Sequence, residues 1–132
     1  MERRVRTFIL GGSAGAAISA VFLFGVPAAH ADGALALGKC SAWGWSTSAT
    51  TLGASQKAIA DCAQHDAQGC KVVAMTHEGC VAVTTDQAQT CGKFYWANEA
   101  TRREAESGSL GQCKSGDGRN CTLVASKCDR VD

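Results

Sequence analysis

CSAWGWSTSATTLGASQKAIADC, residues 40–62, and CGKFYWANEATRREAESGSLGQC, residues 91–113, share one frame. An offset of 51 places Cys40 on Cys91, Trp43 on Phe94, Trp45 on Trp96, Thr50 on Thr101, Ala54 on Ala105, Cys62 on Cys113 and, further on, Cys70 on Cys121. Cysteines and aromatics that coincide at one fixed offset mark two copies of a supersecondary unit, because a unit too small to bury its own apolar face gains by stacking on a second.

Each copy reads the same way. GALAL (33–37) and CVAVT (80–84) alternate as short strands do, and SAWGW (41–45) and GKFYW (92–96) carry aromatics at every second residue, which puts Trp43 and Trp45 on one face. A helix follows, with a stripe of Ala54, Ala58, Ile59 and Cys62 in the first copy and of Ala105, Ser109, Leu110 and Cys113 in the second. Thr101 with Glu104 makes a capping box for the second helix. The loops AQHDAQG (63–69) and KSGDGRN (114–120) lead to last strands KVVAM (71–75) and TLVAS (122–126). The sequence therefore predicts an α+β fold of two strand-strand-helix-strand repeats, about 33–77 and 79–128. A pseudo-two-fold relates the repeats, the sheet is mainly antiparallel, and disulfides staple the two helices to it. Residues 76–79 are predicted to form a hairpin turn that carries His77.

The first 31 residues read as a signal peptide. Arg3, Arg4 and Arg6 precede an uncharged apolar run from Phe8 to Val26, and Ala29-His30-Ala31 supplies the small-x-small site of signal peptidase. Retained, that run would be a membrane anchor, but its Gly, Ala and Ser make it weakly apolar for a span of about 20 residues. Residues 32–132 are then one disulfide-rich domain, secreted or held in the periplasm or cell envelope. Ten Lys and Arg face eleven Asp and Glu there, so no basic field invites nucleic acid and no polybasic run invites a membrane. Only 18 residues after Ala31 are large and apolar (Leu, Ile, Val, Met, Phe, Tyr, Trp), so the core is thin. All eight cysteines follow the leader, and an even count in a small exported chain reads as a disulfide framework that supplements such a core.

Gly33-Ala34-Leu35-Ala36, the tryptophan strand Trp43-Gly44-Trp45, the alanine-rich helix ending at Cys62, Cys70-Lys71-Val72-Val73 and Cys80-Val81-Ala82-Val83 occur in an order that resembles the domain of unknown function 4189 family. The resemblance spans nearly all of the chain after the leader and implies a small exported bacterial protein with this fold. It implies no reaction. Cys40 and Cys91, and Gly108 and Gly111 in the second helix, depart from the family's usual pattern.

Eight cysteines allow 105 pairings, and the repeat removes most of them. Cys62 with Cys70, and Cys113 with Cys121, close the loop after each helix. Cys80 and Cys128 have no cysteine at the offset and are paired with each other, which leaves Cys40 for Cys91. Sketched with the second and third strands running up and the helices down, Cys80 and Cys128 share the top and Cys40 and Cys91 the bottom. The competing map, Cys40 with Cys80 and Cys91 with Cys128, joins bottom to top.

Candidate chemistry is sparse. Spacings of seven residues between local cysteines do not fit zinc knuckles, so no metal and no cofactor are expected. His65 and His77 are the candidate bases of a small secreted hydrolase, but no Gly-x-Ser-x-Gly elbow accompanies them and every cysteine is claimed by symmetry. Asp61 with Asp66, and Glu104 with Glu106, read as helix charges. Trp43, Trp45 and Trp96 read as core before they read as a ligand platform. The strongest break in symmetry is roughly four extra residues within TDQAQT (85–90), at the end shared with loops 63–69 and 114–120. Asp86, Gln87 and Gln89 are the candidate contact residues. The function expected is non-enzymatic recognition of a protein or envelope ligand by a monomer, with the hydrolase and a secreted enzyme inhibitor as the alternatives.

Overall fold

The computed structural model describes residues 30–40, 42–65, 69–88, 91 and 93–130. Apart from His30 and Ala31, the expected signal peptide lies outside the described residues. The elements run β1 (Asp32–Leu37), β2 (Trp43–Ser48), α1 (Thr51–Ala63), β3 (Lys71–His77), β4 (Cys80–Asp86), β5 (Phe94–Glu99), α2 (Arg102–Ser115) and β6 (Cys121–Cys128). They form two antiparallel sheets of three strands, β2-β1-β3 and β5-β4-β6. Strand-strand-helix-strand is thus built twice.

The alternation of side chains explains the layering. On β1, Ala34 and Ala36 pack with Ala54, Ala58 and Cys62 of α1, while Leu35 and Leu37 point the other way. On β4, Cys80 and Ala82 meet Ala105 of α2, and Val81 and Val83 join Leu35, Ala74, Trp45, Phe94 and Trp96 between the sheets. Most of the large apolar residues therefore fill the inter-sheet layer, while alanines and cysteines face the helices, with Val72 and Met75 beside those of α1. Trp45 and Trp96 belong to this core.

The small layer lets α1 sit close. A Cβ on Gly44 would lie 2.2 Å from the Ala58 carbonyl oxygen and 2.4 Å from the Cys62 nitrogen. So near an approach narrows the buried stripe to Ala54, Ala58 and Cys62, and Ile59, predicted to share it, is 39% exposed. In α2 the buried residues are Ala105, Ser109 and Cys113, with Leu110 half-buried. Both helices begin on a threonine cap. Gly53 N–H donates to Thr50 Oγ1, and Glu104 N–H donates to Thr101 Oγ1 while the Thr101 hydroxyl meets the Glu104 carboxylate.

A bulge recurs as well. Leu35 pairs with Ala74 and Ala36 with Val72, leaving Val73 unpaired; Val83 pairs with Ala125 and Thr84 with Leu123, leaving Val124 unpaired. Val73 and Val124 stand at the repeat offset.

Three expectations are corrected. Residues 76–79 do not make a hairpin, because β3 and β4 lie in different sheets and His77 is the last residue of β3. The backbone of Gly79 is bonded elsewhere: its N–H donates to the Asp129 carboxylate at 3.0 and 3.2 Å, and its carbonyl accepts from Asp129 N–H at 3.1 Å. The second correction concerns the inserted loop. Leu37 pairs with Trp43 and Thr85 with Phe94, so the second connection is longer by three residues, and Thr85 and Asp86 belong to β4. The strands β2 and β5 also start later than predicted, at Trp43 and Phe94, since Cys40 and Cys91 turn the chain in the left-handed region at φ 53° and 63°.

Disulfides join Cys62 to Cys70, Cys113 to Cys121, Cys80 to Cys128 and Cys40 to Cys91, and no cysteine is free. The first two follow the helices. Cys80 and Cys128 are direct cross-strand partners on β4 and β6, and Cys40 with Cys91 ties one repeat to the other.

Candidate functional site

Strand β4 ends on a buried carboxylate. Asp86, only 2% exposed, accepts the N–H of Ala88 at 3.0 Å and of Asn120 at 3.0 Å on Oδ1, and the N–H of Arg119 at 3.4 Å on Oδ2. Gln87 N–H adds a bond to the Asn120 carbonyl at 3.0 Å. One side chain thus fastens the connection after β4 to the connection before β6. The N–H groups of Ala88 and Asn120 hold the Asp86 carboxyl below its ordinary range against the cost of burial, with the Arg119 N–H and guanidinium adding to the effect.

The second connection is fixed from its other side too. The Tyr95 hydroxyl donates to the Gly116 carbonyl at 3.0 Å, and Lys93 Nζ lies 5.3 Å from the Tyr95 ring centroid. Asp117 turns through φ 64°, and Gly118 N–H donates to the Cys113 carbonyl at 2.8 Å. A Cβ on Gly118 would lie 2.5 Å from Cys113 Sγ, so the Cys113–Cys121 bridge is seated directly against this loop. Between the two connections is a hollow of about 360 Å³ lined by Asp86, Ala88, Asp117 and Arg119. Three of these four lining residues, Asp86, Asp117 and Arg119, are charged.

The predicted contact residues divide here. Asp86 is not an exposed contact but the buried brace, because three backbone N–H groups converge on its carboxylate. Gln87 is exposed, and Gln89 lies outside the described residues. Asp117 and Arg119 were missed by the sequence reading, although Asp117-Gly118 in KSGDGRN is a turn signal that marks a shaped loop.

The other end of the molecule holds His77. Its Nδ1 is 2.8 Å from Asp32 Oδ1, and the Thr51 hydroxyl donates to Asp32 Oδ2 at 2.7 Å. The hydrogen bond to Asp32, more than its charge, raises the His77 pKa; the same bond, followed by that from Thr51, lowers that of Asp32. Asp32 and His77 are cross-strand partners on β1 and β3 in the register that Cys80 and Cys128 occupy on β4 and β6. His77 presents 71% of its side chain to solvent. His65 is exposed just past α1. Among the described residues, no hydroxyl or thiol is hydrogen-bonded to either imidazole; Thr51 reaches Asp32 instead. No group of three or more His, Cys, Asp or Glu that could hold a metal ion occurs among the described residues. No helix among them is long and apolar enough to cross a membrane.

Four disulfides in so small a chain fit an oxidising, extracytoplasmic setting. No curated protein and no solved structure matches the chain. The chain belongs to the family described as domain of unknown function (DUF4189), whose profile matches residues 33–128, from the glycine of β1 to the cysteine that ends β6.

Proposed function

We propose that this DUF4189 protein is an exported, non-enzymatic recognition protein whose loop end meets a protein or envelope ligand outside the cytoplasm. The observation that carries this reading is the bracing of that end. Asp86 gathers the N–H groups of Ala88, Arg119 and Asn120, so the rim of the hollow is ordered before any ligand arrives. A surface ordered in advance loses less conformational entropy on binding, which is how a small polar contact gains affinity. Secretion of an enzyme inhibitor would use the same surface in the same way.

The Asp32–His77 pair favours a second reading, hydrolysis, because a carboxylate on Nδ1 is how a general base is oriented. Against it stand the exposure of His77 and the direction of the Thr51 hydroxyl, which is bonded to the carboxylate and not to the imidazole. Among the described residues, no hydroxyl or thiol is bonded to the imidazole for it to activate. The test is retrieval of a partner from envelope or host extract by the oxidised chain from Asp32 onward. Arg119→Ala and Gln87→Ala should each weaken retention by roughly tenfold, as truncation of an interface anchor does, while His65→Ala and His77→Ala leave it unchanged. The reverse pattern, activity lost with His77 and kept without Arg119, would make hydrolysis the better account.

A further inference from the structure

Of the four bridges, three are built into the packing and one is not. Cys62 and Cys113 are 0% exposed and Cys80 is 6% exposed, each with a half-buried partner in Cys70, Cys121 or Cys128. Cys40 and Cys91 are both exposed. They are also the only bridged pair that joins the two repeats, since the others close within the first unit or within the second. Both sit in the left-handed region, at φ 53° and 63°, which side chains other than glycine seldom occupy. Thiol–disulfide exchange needs a thiolate to reach one sulfur from the side opposite its partner. Access and release of a disfavoured backbone conformation therefore coincide at one bridge.

We propose that Cys40–Cys91 is a thiol–disulfide exchange site, opened by a dithiol reductant of the Cys-x-x-Cys class while the other three bridges stay closed. The attacking thiolate forms a mixed disulfide with Sγ of one cysteine, and the other leaves as a thiolate that takes a proton from water. The second thiol of the reductant then closes its own disulfide and frees the remaining cysteine. Two electrons pass from the dithiol to the bridge, and the bridge re-forms by the reverse exchange, in which a protein disulfide of the Cys-x-x-Cys class takes up the two electrons and is itself reduced to the dithiol. Opening unties the Gln87–Lys93 connection at Cys91 while Asp86 still holds its start, so the loop end loosens without loss of either sheet. That consequence for binding rests on the recognition reading; the exchange itself does not.

The oxidised chain from Asp32 onward is treated with limiting dithiothreitol, and in parallel with a thioredoxin-type dithiol protein. Newly exposed thiols are alkylated at intervals and mapped by peptide mass. Cys40 and Cys91 should be labelled at least about tenfold sooner than the other six cysteines. Another bridge opening first, or all four opening together, overturns the proposal. A Cys40→Ser/Cys91→Ser variant should keep the amide protection of both sheets and of Ala88 and Asn120, which Asp86 holds, and lose it at Gly38 and Ala42, whose N–H groups close the turn around Cys40. Global loss of protection would mean the bridge is a structural staple, and would equally overturn it. Selective opening with partner retention unchanged leaves the exchange site standing and removes the recognition reading's claim on this end.

Discussion

Replacing Gly44 by Ala tests how α1 is held. The added Cβ would meet the Ala58 carbonyl oxygen at 2.2 Å, the Cys62 nitrogen at 2.4 Å and Asp61 Cβ at 3.0 Å. The first two are helix backbone, so no rotamer change relieves them and α1 must retreat by about 1 Å to reach an ordinary van der Waals distance. A gap of that size forfeits a quarter to a half of each dispersion contact across it, here those of Ala54, Ala58 and Cys62 with Ala34 and Ala36. It also strains the Trp45 N–H bond to Asp61 Oδ2, now 3.2 Å. Overpacking typically costs about 1–3 kcal/mol. With backbone as the obstacle, the expected loss is about 2–3 kcal/mol, a large share of the roughly 5–15 kcal/mol that holds a domain. Gly111 is the internal control. It lies within α2 with nothing within 4 Å of its would-be Cβ, so the same substitution should stabilise by about 0.5–1 kcal/mol through helix propensity alone. Urea unfolding of the oxidised protein, followed by tryptophan fluorescence, measures both. A Gly44→Ala protein within about 0.5 kcal/mol of the parent, or a destabilised Gly111→Ala, would refute the close-packed reading of the helix layer.

Two further outcomes are expected. Thr84 Oγ1 and Ser109 Oγ are 2.8 Å apart and both residues are fully buried, so Ser109→Ala should cost about 1–3 kcal/mol by stranding the threonine hydroxyl; Thr84→Val with Ser109→Ala should cost less than the sum of the two single changes, as a double-mutant cycle in urea would show. The two carboxylate sites should respond to pH differently. Asp86 is depressed below its ordinary 3.8, so its contribution is present above that value and lost as pH falls through the folded pKa, seen as a falling protection factor for the Asn120 amide. His77 is raised above 6.5, so the Asp32–His77 pair contributes below 6.5 and fades as pH rises through the raised value, and it fades again in acid as Asp32 protonates below 3.8. An NMR titration of His77 should move toward its ordinary midpoint in Asp32→Asn; no movement would show that the pair does not form in solution.

What the sequence disclosed depended on how local the cause was. The cysteine frame and the recurring aromatics give the repeat and the bridges that follow each helix, and Thr101 with Glu104 gives the second helix its cap, because those features are set by neighbours within one unit. The step from β3 to β4 was misread as a hairpin because Glu78-Gly79 has turn chemistry in either case. The distinguishing signal was the near-continuous apolar reading of Ala34–Leu37 and Cys80–Val83, which marks strands buried on both faces and so sheets stacked on one another. Asp86 was misread for a different reason. A carboxylate in a polar stretch reads as exposed, and what buries it is a set of N–H groups 33 and 34 residues further along the chain.

The two repeats differ most where their equivalent residues do different work. At the offset of 51, Gly44 on β2 corresponds to Tyr95 on β5. With glycine there, the helix itself comes down to the sheet, and the first unit gains a tight apolar layer. With tyrosine there, the ring fills that space: a Cβ on Gly116 would lie 2.5 Å from the Tyr95 ring, and the hydroxyl bonds the Gly116 carbonyl at the start of the α2–β6 connection. The side chain that replaces a close helix contact thus becomes an anchor for the loop that lines the hollow. Asp86 holds the same loop from the opposite side, through Arg119 and Asn120. Both anchors belong to the second unit, as does the three-residue insertion. In a duplicated fold one copy can supply packing while the other shapes a surface, and here the residues that shape the surface are all on the second copy.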